Sequence, residues 1–215
     1  EVADPTFGVR VGNIERVDGN WRLTDADGWQ LGTYDGLVVT APADQAVDLL
    51  DGIDSPARRT LQWVSMTPTW SVMLAFDARL PTEFDAAFVN EGPLVWVARN
   101  SAKPGRFGSE CWVLHSTHEW AADHLEASAD EVADLLVAAF RQVSPSEEVW
   151  PSVVHRRAHR WRYAEADSPL HQGALWDADR QLVVAGDWVH GSRVEGAFLS
   201  GCAAAGRILS TVAAE

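Results

Sequence analysis

The 215-residue chain lacks the short signatures that most often announce a reaction. There is no G-x-S-x-G nucleophile elbow, no Walker phosphate loop and no H-E-x-x-H zinc helix, so hydrolase, NTPase and zinc-protease readings lose their motifs. A G-x-G-x-x-G turn is missing too, because Gly12, Gly19, Gly28, Gly32 and Gly36 are too scattered to form one. Positive charge is scarce: 17 Lys and Arg stand against 31 Asp and Glu, a formal net charge of -14. Phosphate backbones and anionic membranes need a cationic partner surface, so neither nucleic acid nor membrane is expected as a partner. No uninterrupted apolar run reaches membrane length. The two cysteines, Cys111 and Cys202, are far apart and outside any C-x-x-C, the pattern of reduced thiols in a cytoplasmic protein. His115 and His118 are three apart at a strand end, and His155 and His159 are four apart on a strand, about 13 Å at ordinary strand rise. Neither pair chelates naturally, and no metal is expected.

The densest pattern present is residues 181–201, QLVVAGDWVHGSRVEGAFLSG. Residues 182–185 are four consecutive apolar side chains, which predicts a strand buried on both faces of a parallel sheet. Gly186 and Asp187 end that strand. After a second glycine, Gly191, the Ser192 and Glu195 pair has capping-box spacing and predicts a helix start. Gly196, Ser200 and Ala204 recur every four residues, placing small side chains where another backbone or a flat ligand comes close. A buried strand, a carboxylate at its carboxyl end and a helix N-terminus are the parts of a dinucleotide crevice. The alternative is an α/β domain that simply ends in a buried strand and a small-residue helix. Trp188 directly after the carboxylate and Arg193 in the turn before the helix favour the site. In that arrangement Asp187 accepts from ribityl or ribose hydroxyls, and the Val194 and Glu195 amides meet an electron-rich ring oxygen.

G-D-W, two residues, G, one residue and R-V-E-G-A-F-L-S-G resembles the C-terminal flavin-binding motif of the FAD-dependent amine oxidase superfamily, specifically its bacterial renalase-like branch. Residues 94–106 (LVWVARNSAKPGR), 111–126 (CWVLHSTHEWAADHLE) and 159–164 (HRWRYA) resemble further segments of the same branch, in the same order. The resemblance implies a mixed α/β (α+β) fold, in which a partial Rossmann-like FAD-binding domain is joined to an antiparallel-sheet substrate domain. Residues 1–55 and 176–215 would belong to the FAD-binding domain and residues 56–175 to the substrate domain. It also implies noncovalent FAD, held by Gly186, Asp187, Trp188, Arg193, Val194, Glu195 and Ala197, with the Val11 backbone beside the adenine. A helix N-terminus aimed at the pyrimidine edge favours the reduced, negatively charged flavin. On the substrate side, His115 in VLHST would donate to a substrate carbonyl. Trp161 would close one side of a pocket facing the flavin. Arg99 and Asn100, at the end of LVWVARN, either contact a carboxamide or phosphate or simply cap the strand. The implied reaction is hydride transfer from a small-molecule substrate, a reduced nicotinamide or an amine, to the flavin, with reoxidation by dioxygen. The missing Gly-rich turn reads as a fragment that lacks a first dinucleotide-binding segment on the order of 100 residues.

The rest of the chain reads in order as follows. Turn signals at residues 18–20 and 27–28 divide residues 5–40 into a three-stranded meander whose last strand spans 34–40. The run LVVTAP at 37–42 gives a second buried strand, and a helix follows at 44–50. Trp70, Val72, Leu74 and Phe76 alternate with Ser71, Met73 and Ala75, a half-buried strand. Two more strands are expected at 93–99 and 110–117. Ser128 opens a helix with Val132, Leu135, Leu136, Ala139, Phe140 and Val143 on one face. In the strand 153–164, His155, Arg157, His159, Trp161 and Tyr163 share one face, and Arg156, Arg160 and Arg162 share the other. Besides a pocket wall, this pattern fits an edge strand kept soluble by arginines, with Trp161 and Tyr163 anchored in the core. Likewise, a lone histidine such as His115 is often a structural residue.

Two other functional classes fit the same sequence. One is a non-catalytic flavin or nucleotide-binding module; the other is a ligand-binding β domain whose eleven tryptophans stack on sugars. Flavin absorbance separates the first from the second, and turnover with dioxygen separates the enzyme from both.

Overall fold

The computed structural model describes residues 4–143 and 149–212. In chain order the strands are β1 (Val11–Val17), β2 (Asn20–Asp25), β3 (Gln30–Tyr34), β4 (Leu37–Val39), β5 (Met66–Phe76), β6 (Ala86–Phe88), β7 (Leu94–Arg99), β8 (Glu110–Ser116), β9 (Val153–Ala166), β10 (Leu175–Asp177) and β11 (Leu182–Val184). The helices are α1 (Ala43–Leu49), α2 (Pro56–Leu61), α3 (His118–Asp123), α4 (Ala129–Val143) and α5 (Val194–Val212). They divide into two compact units, one made of the chain up to Met66 and from Glu165 onward, the other of Thr67–Ala164. Residues 56–66 and 165–175, assigned from sequence to the substrate domain, pack with the first unit.

In the first unit β1, β2 and β3 form an antiparallel meander. Asp18 and Gly19, with φ of 51° and 85°, make the two-residue left-handed turn that matches strand twist. The third meander strand is Gln30–Tyr34, not 34–40 as the sequence pattern predicts. Its alternation is interrupted by Gly32, where a Cβ would come within 2.4 Å of the Tyr34 hydroxyl. The chain then leaves for a second sheet, ordered β10-β11-β4. β11 runs parallel to β4, with Leu182 opposite Leu37 and Val184 opposite Val39, and antiparallel to β10. The expectation of burial on both faces holds for β11, whose three residues are all buried, but not for β4, where Val38 is 43% exposed. β11 is also central, so of the two apolar strands only β4 lies at an edge of this sheet. Trp21, Leu50, Leu61, Leu182 and Trp188 are fully buried in this unit's core. The Trp21 indole donates to the Arg180 carbonyl at 2.8 Å, which ties the meander to the turn before β11.

The second unit is a five-stranded sheet ordered β6-β7-β8-β5-β9 with α4 against one face. Trp70, Val72, Leu74 and Phe76 of β5 and Trp112 and Leu114 of β8 point into that interface, as their alternation predicts. The Ser128 hydroxyl accepts from the Glu131 amide at 3.2 Å and caps α4. The buried face of α4 is Val132, Ala133, Leu136 and Phe140, whereas Leu135 is 43% exposed. Ala139 and Val143 also pack against this core, so the face read off the sequence holds except that Ala133 takes the place of Leu135. β9 is an edge strand. Its arginines pair with carboxylates on the α4 side: Arg156 with Asp134, and Arg160 and Arg162 with Glu126 at 2.8 and 2.7 Å. Those two arginines hold the Glu126 carboxyl below its ordinary pKa.

Candidate functional site

In the first unit, Gly186 leads out of β11 into a single 3-10 turn, Asp187–Val189, and Gly191 leads into α5. The Asp187 carbonyl accepts from the His190 and Ser192 amides, both at 2.8 Å, so the turn folds back on its own carboxylate residue. Asp187 Oδ1 accepts from the Trp188 amide at 2.9 Å. Its second oxygen has no partner among the described residues, and the side chain is only half-buried. The first intrahelical bond of α5 is from the Ala197 amide to the Arg193 carbonyl at 2.9 Å, which leaves the Val194, Glu195 and Gly196 amides without acceptors in the helix.

The capping box expected at Ser192 is not formed. Ser192 has a φ of 48°, outside the extended geometry of a capping residue, and its hydroxyl accepts instead from the Ala166 amide at 3.2 Å. The small-residue stripe serves backbone approach. A Cβ on Gly196 would lie 2.4 Å from the His190 carbonyl oxygen, and the buried Ser200 hydroxyl accepts from the Gly186 amide at 3.0 Å. Small size on this face thus docks α5 onto the turn.

Trp188, expected among the ligand contacts, is a core residue at 1% exposure. Gly186 makes room for it: a Cβ there would sit 2.4 Å from the indole nitrogen, which is itself buried without a hydrogen-bond partner. Gly186 and Trp188 therefore shape the turn from behind, while Asp187, Arg193, Val194, Glu195 and Ala197 present to the outside. Val11 starts β1 in the meander, a different sheet, and packs half-buried against the first core. The turn fits the flavin that its sequence implies, because a carboxylate oxygen open to hydroxyl donors lies next to amides at the positive end of a 19-residue helix.

In the second unit the other sheet face, opposite α4, is open. His115 on β8 lies across from Ser71 on β5 and Trp96 on β7. It makes no hydrogen bond among the described residues, and burial first, then the charge of Lys103, hold its pKa below the ordinary histidine value. Arg160 stacks over Trp70 at 5.8 Å and Ala158 packs on the core, so alternation turns His159 and Trp161 to the open face with His115. Trp161 is 53% exposed and meets His159 edge-on at 4.5 Å. This overturns the alternative that anchors Trp161 in the core.

Asn100 and Arg99 separate. Asn100 opens the 3-10 turn Asn100–Ala102 and lines a cleft of about 610 Å³ with Ala75 and Cys111 of the open face. Arg99, expected to contact substrate, points the other way: it is 6% exposed, bonded to Asp85 at 2.7 Å and Thr82 at 2.6 Å, ion-paired with Glu110 at 3.0 Å, and stacked over Trp112. Its guanidinium is a structural cation inside the unit. Sequence reasoning missed Lys103, Ser71 and Trp96 as neighbours of His115, and Ser200 as the anchor of the Asp187 turn. Cross-strand register carries the first signals; for Ser200, the only hydroxyl in a small-residue stripe was visible.

Residues 3–209 match the family model described as flavin containing amine oxidoreductase. The chain is 23% identical over 170 residues to renalase of Mus musculus, an alignment covering 74% of this chain and 48% of that protein. A solved structure assigned as a protoporphyrinogen oxidase, from Exiguobacterium sp. 255-15, superposes with a TM-score of 0.68 at 19% identity, covering 94% of this chain and 47% of that one. The chain thus spans about half the length of both relatives. The match to the family model runs through both units, including the Asp187 turn and the His115 strand, and the chain belongs to the flavin-containing amine oxidoreductase family, whose cofactor is FAD.

Proposed function

We propose that this chain supplies flavin and donor contacts of an FAD-dependent oxidase acting on a small reduced donor, an isomeric dihydronicotinamide or an amine. The observation that carries the reading is the free Asp187 carboxylate oxygen beside the open Val194, Glu195 and Gly196 amides. FAD, when bound, supplies the hydride acceptor, with dioxygen as final oxidant. Asp187 would hold a ribityl or ribose hydroxyl, and the α5 amides would supply donors and positive helix polarity that favour negative charge on the reduced flavin. Arg193 adds a cation to the same turn. On the open sheet face, Trp161 offers a flat surface for the donor ring. His115, kept neutral by burial and by Lys103, offers one ring N–H to a donor carbonyl and keeps the other nitrogen as an acceptor. Little proton transfer is required of these side chains, and their work is positioning. The resemblance of residues 94–106, 111–126 and 159–164 to the renalase-like branch favours the nicotinamide donor over the amine.

The test is anaerobic mixing of the FAD-loaded intact protein with each donor class. Bleaching of the flavin absorbance by dihydronicotinamides, reversed on admitting air with formation of hydrogen peroxide, is expected. A flavin that neither donor class bleaches contradicts the reading.

A further inference from the structure

The cleft beside Asn100 is lined by polar and cationic side chains. Its walls are Asn100, Ser101, Arg106, Phe107 and Ser109 with Ala75 and Cys111 as floor, and no carboxylate lines it among the described residues. Glu110, which sits between Ser109 and Cys111, is ion-paired with Arg99 at 3.0 Å, and its second oxygen accepts from the hydroxyl of the wall residue Ser101 at 3.3 Å. Arg106 and Lys103 have no ion-pair partner among the described residues, in a chain where acidic groups outnumber basic ones 31 to 17. Phe107 is 98% exposed at the lip, between Gly105 and Gly108, both with left-handed φ (74° and 120°). A free planar cation, amide and hydroxyl donors and an unpacked aromatic ring, around a volume of about 610 Å³, match the size and chemistry of a small-ligand pocket.

We propose that this cleft binds the phosphate-bearing, non-reacting half of a nucleotide donor, with Arg106 and Asn100 on the phosphate and Phe107 against the base. The inference rests on the oxidase reading above and narrows its donor. Cys111 in the cleft floor and His115 lie on the same face of β8, four residues and about 13 Å apart at ordinary strand rise. An extended dinucleotide reaches from one to the other; a simple amine does not. Arg is suited to the role because its planar fork engages two phosphate oxygens at once. Lys103, in the loop that follows Asn100, adds positive potential that is felt at His115.

The test is calorimetry on the intact, FAD-loaded protein, so that the flavin's own nucleotide site is filled, with AMP, inorganic phosphate and adenosine as probes. AMP is expected to bind more tightly than phosphate or adenosine. Arg106→Ala is expected to weaken AMP about tenfold, and Arg106→Lys less. AMP binding no tighter than that of phosphate, or unchanged by both Arg106→Ala and Arg106→Glu, overturns the proposal. Its failure is separable from that of the oxidase reading. Donors that bleach the flavin while AMP ignores the cleft leave the oxidase standing without this subsite, and Arg106-dependent AMP binding without any bleaching does the reverse.

Discussion

The Ser200 hydroxyl accepts the Gly186 amide proton across a 3.0 Å hydrogen bond, fastening the second turn of α5 to the residue that leads out of β11. Through this contact the helix sets the position of Asp187. Ser200 is fully buried and Gly186 part-buried, so Ser200→Ala removes the acceptor of a half-sheltered amide and is expected to cost about 1 kcal/mol. A urea unfolding midpoint that does not move would show that the turn finds another partner.

Two glycines in the same helix have opposite prospects. Gly196→Ala drives a Cβ to 2.4 Å from the His190 carbonyl oxygen, so helix and turn must part. A loss of stability is expected, together with weaker FAD binding. Gly201 faces open space, and Gly201→Ala is expected to stabilise by about 0.5–1 kcal/mol through helix propensity alone. Thermal unfolding of both variants checks the pair, and equal shifts contradict the docking geometry.

Much of the first unit could be read from sequence because its signals are local. The apolar runs 37–39 and 182–184 do pair in parallel, and Asp18-Gly19 does turn a hairpin. β3 escaped because Gly32 blunts its alternation, and α3 because six residues are too few for a periodic pattern. The error at Arg99 has a different origin. A strand pattern says that neighbours face opposite ways, but not which way is inward, and the partners that claim Arg99 lie at Asp85, Thr82 and Glu110. Ser192 likewise fits the spacing of a cap while its hydroxyl is taken by Ala166, 26 residues away. Long-range partners of polar side chains are what local spacing does not encode.

Arg99 provides a prediction of magnitude. Arg99→Ala leaves Glu110, 10% exposed, without its cation, and a broken buried pair typically costs about 3–5 kcal/mol. Arg162→Ala removes an ion pair to a Glu126 that is 71% exposed, a solvent-screened contact whose loss should move stability far less. Denaturant titration separates the two, and an Arg99→Ala variant as stable as wild type would return Arg99 to the list of substrate contacts.

His115 gives a pH dependence. Its folded pKa is depressed, by burial and then by Lys103, so acid protonates the unfolded chain first. The stabilising contribution of neutral His115 is complete above the unfolded value of about 6.5 and is lost as pH falls through the lower folded pKa. Lys103→Met should raise the His115 pKa towards the ordinary value. Proton NMR titration of the His115 ring reads this directly, and an unchanged or lower pKa in the variant contradicts the electrostatic link.

If the Asp187 turn holds the flavin, its substitution must show in a fluorescence titration of the intact protein with FAD. Asp187→Ala removes the hydroxyl acceptor and is expected to raise the FAD Kd about tenfold or more. Asp187→Asn keeps an acceptor for the Trp188 amide and should fall between wild type and Ala. An FAD Kd equal to wild type in a folded Asp187→Ala protein would mean that the flavin is held elsewhere.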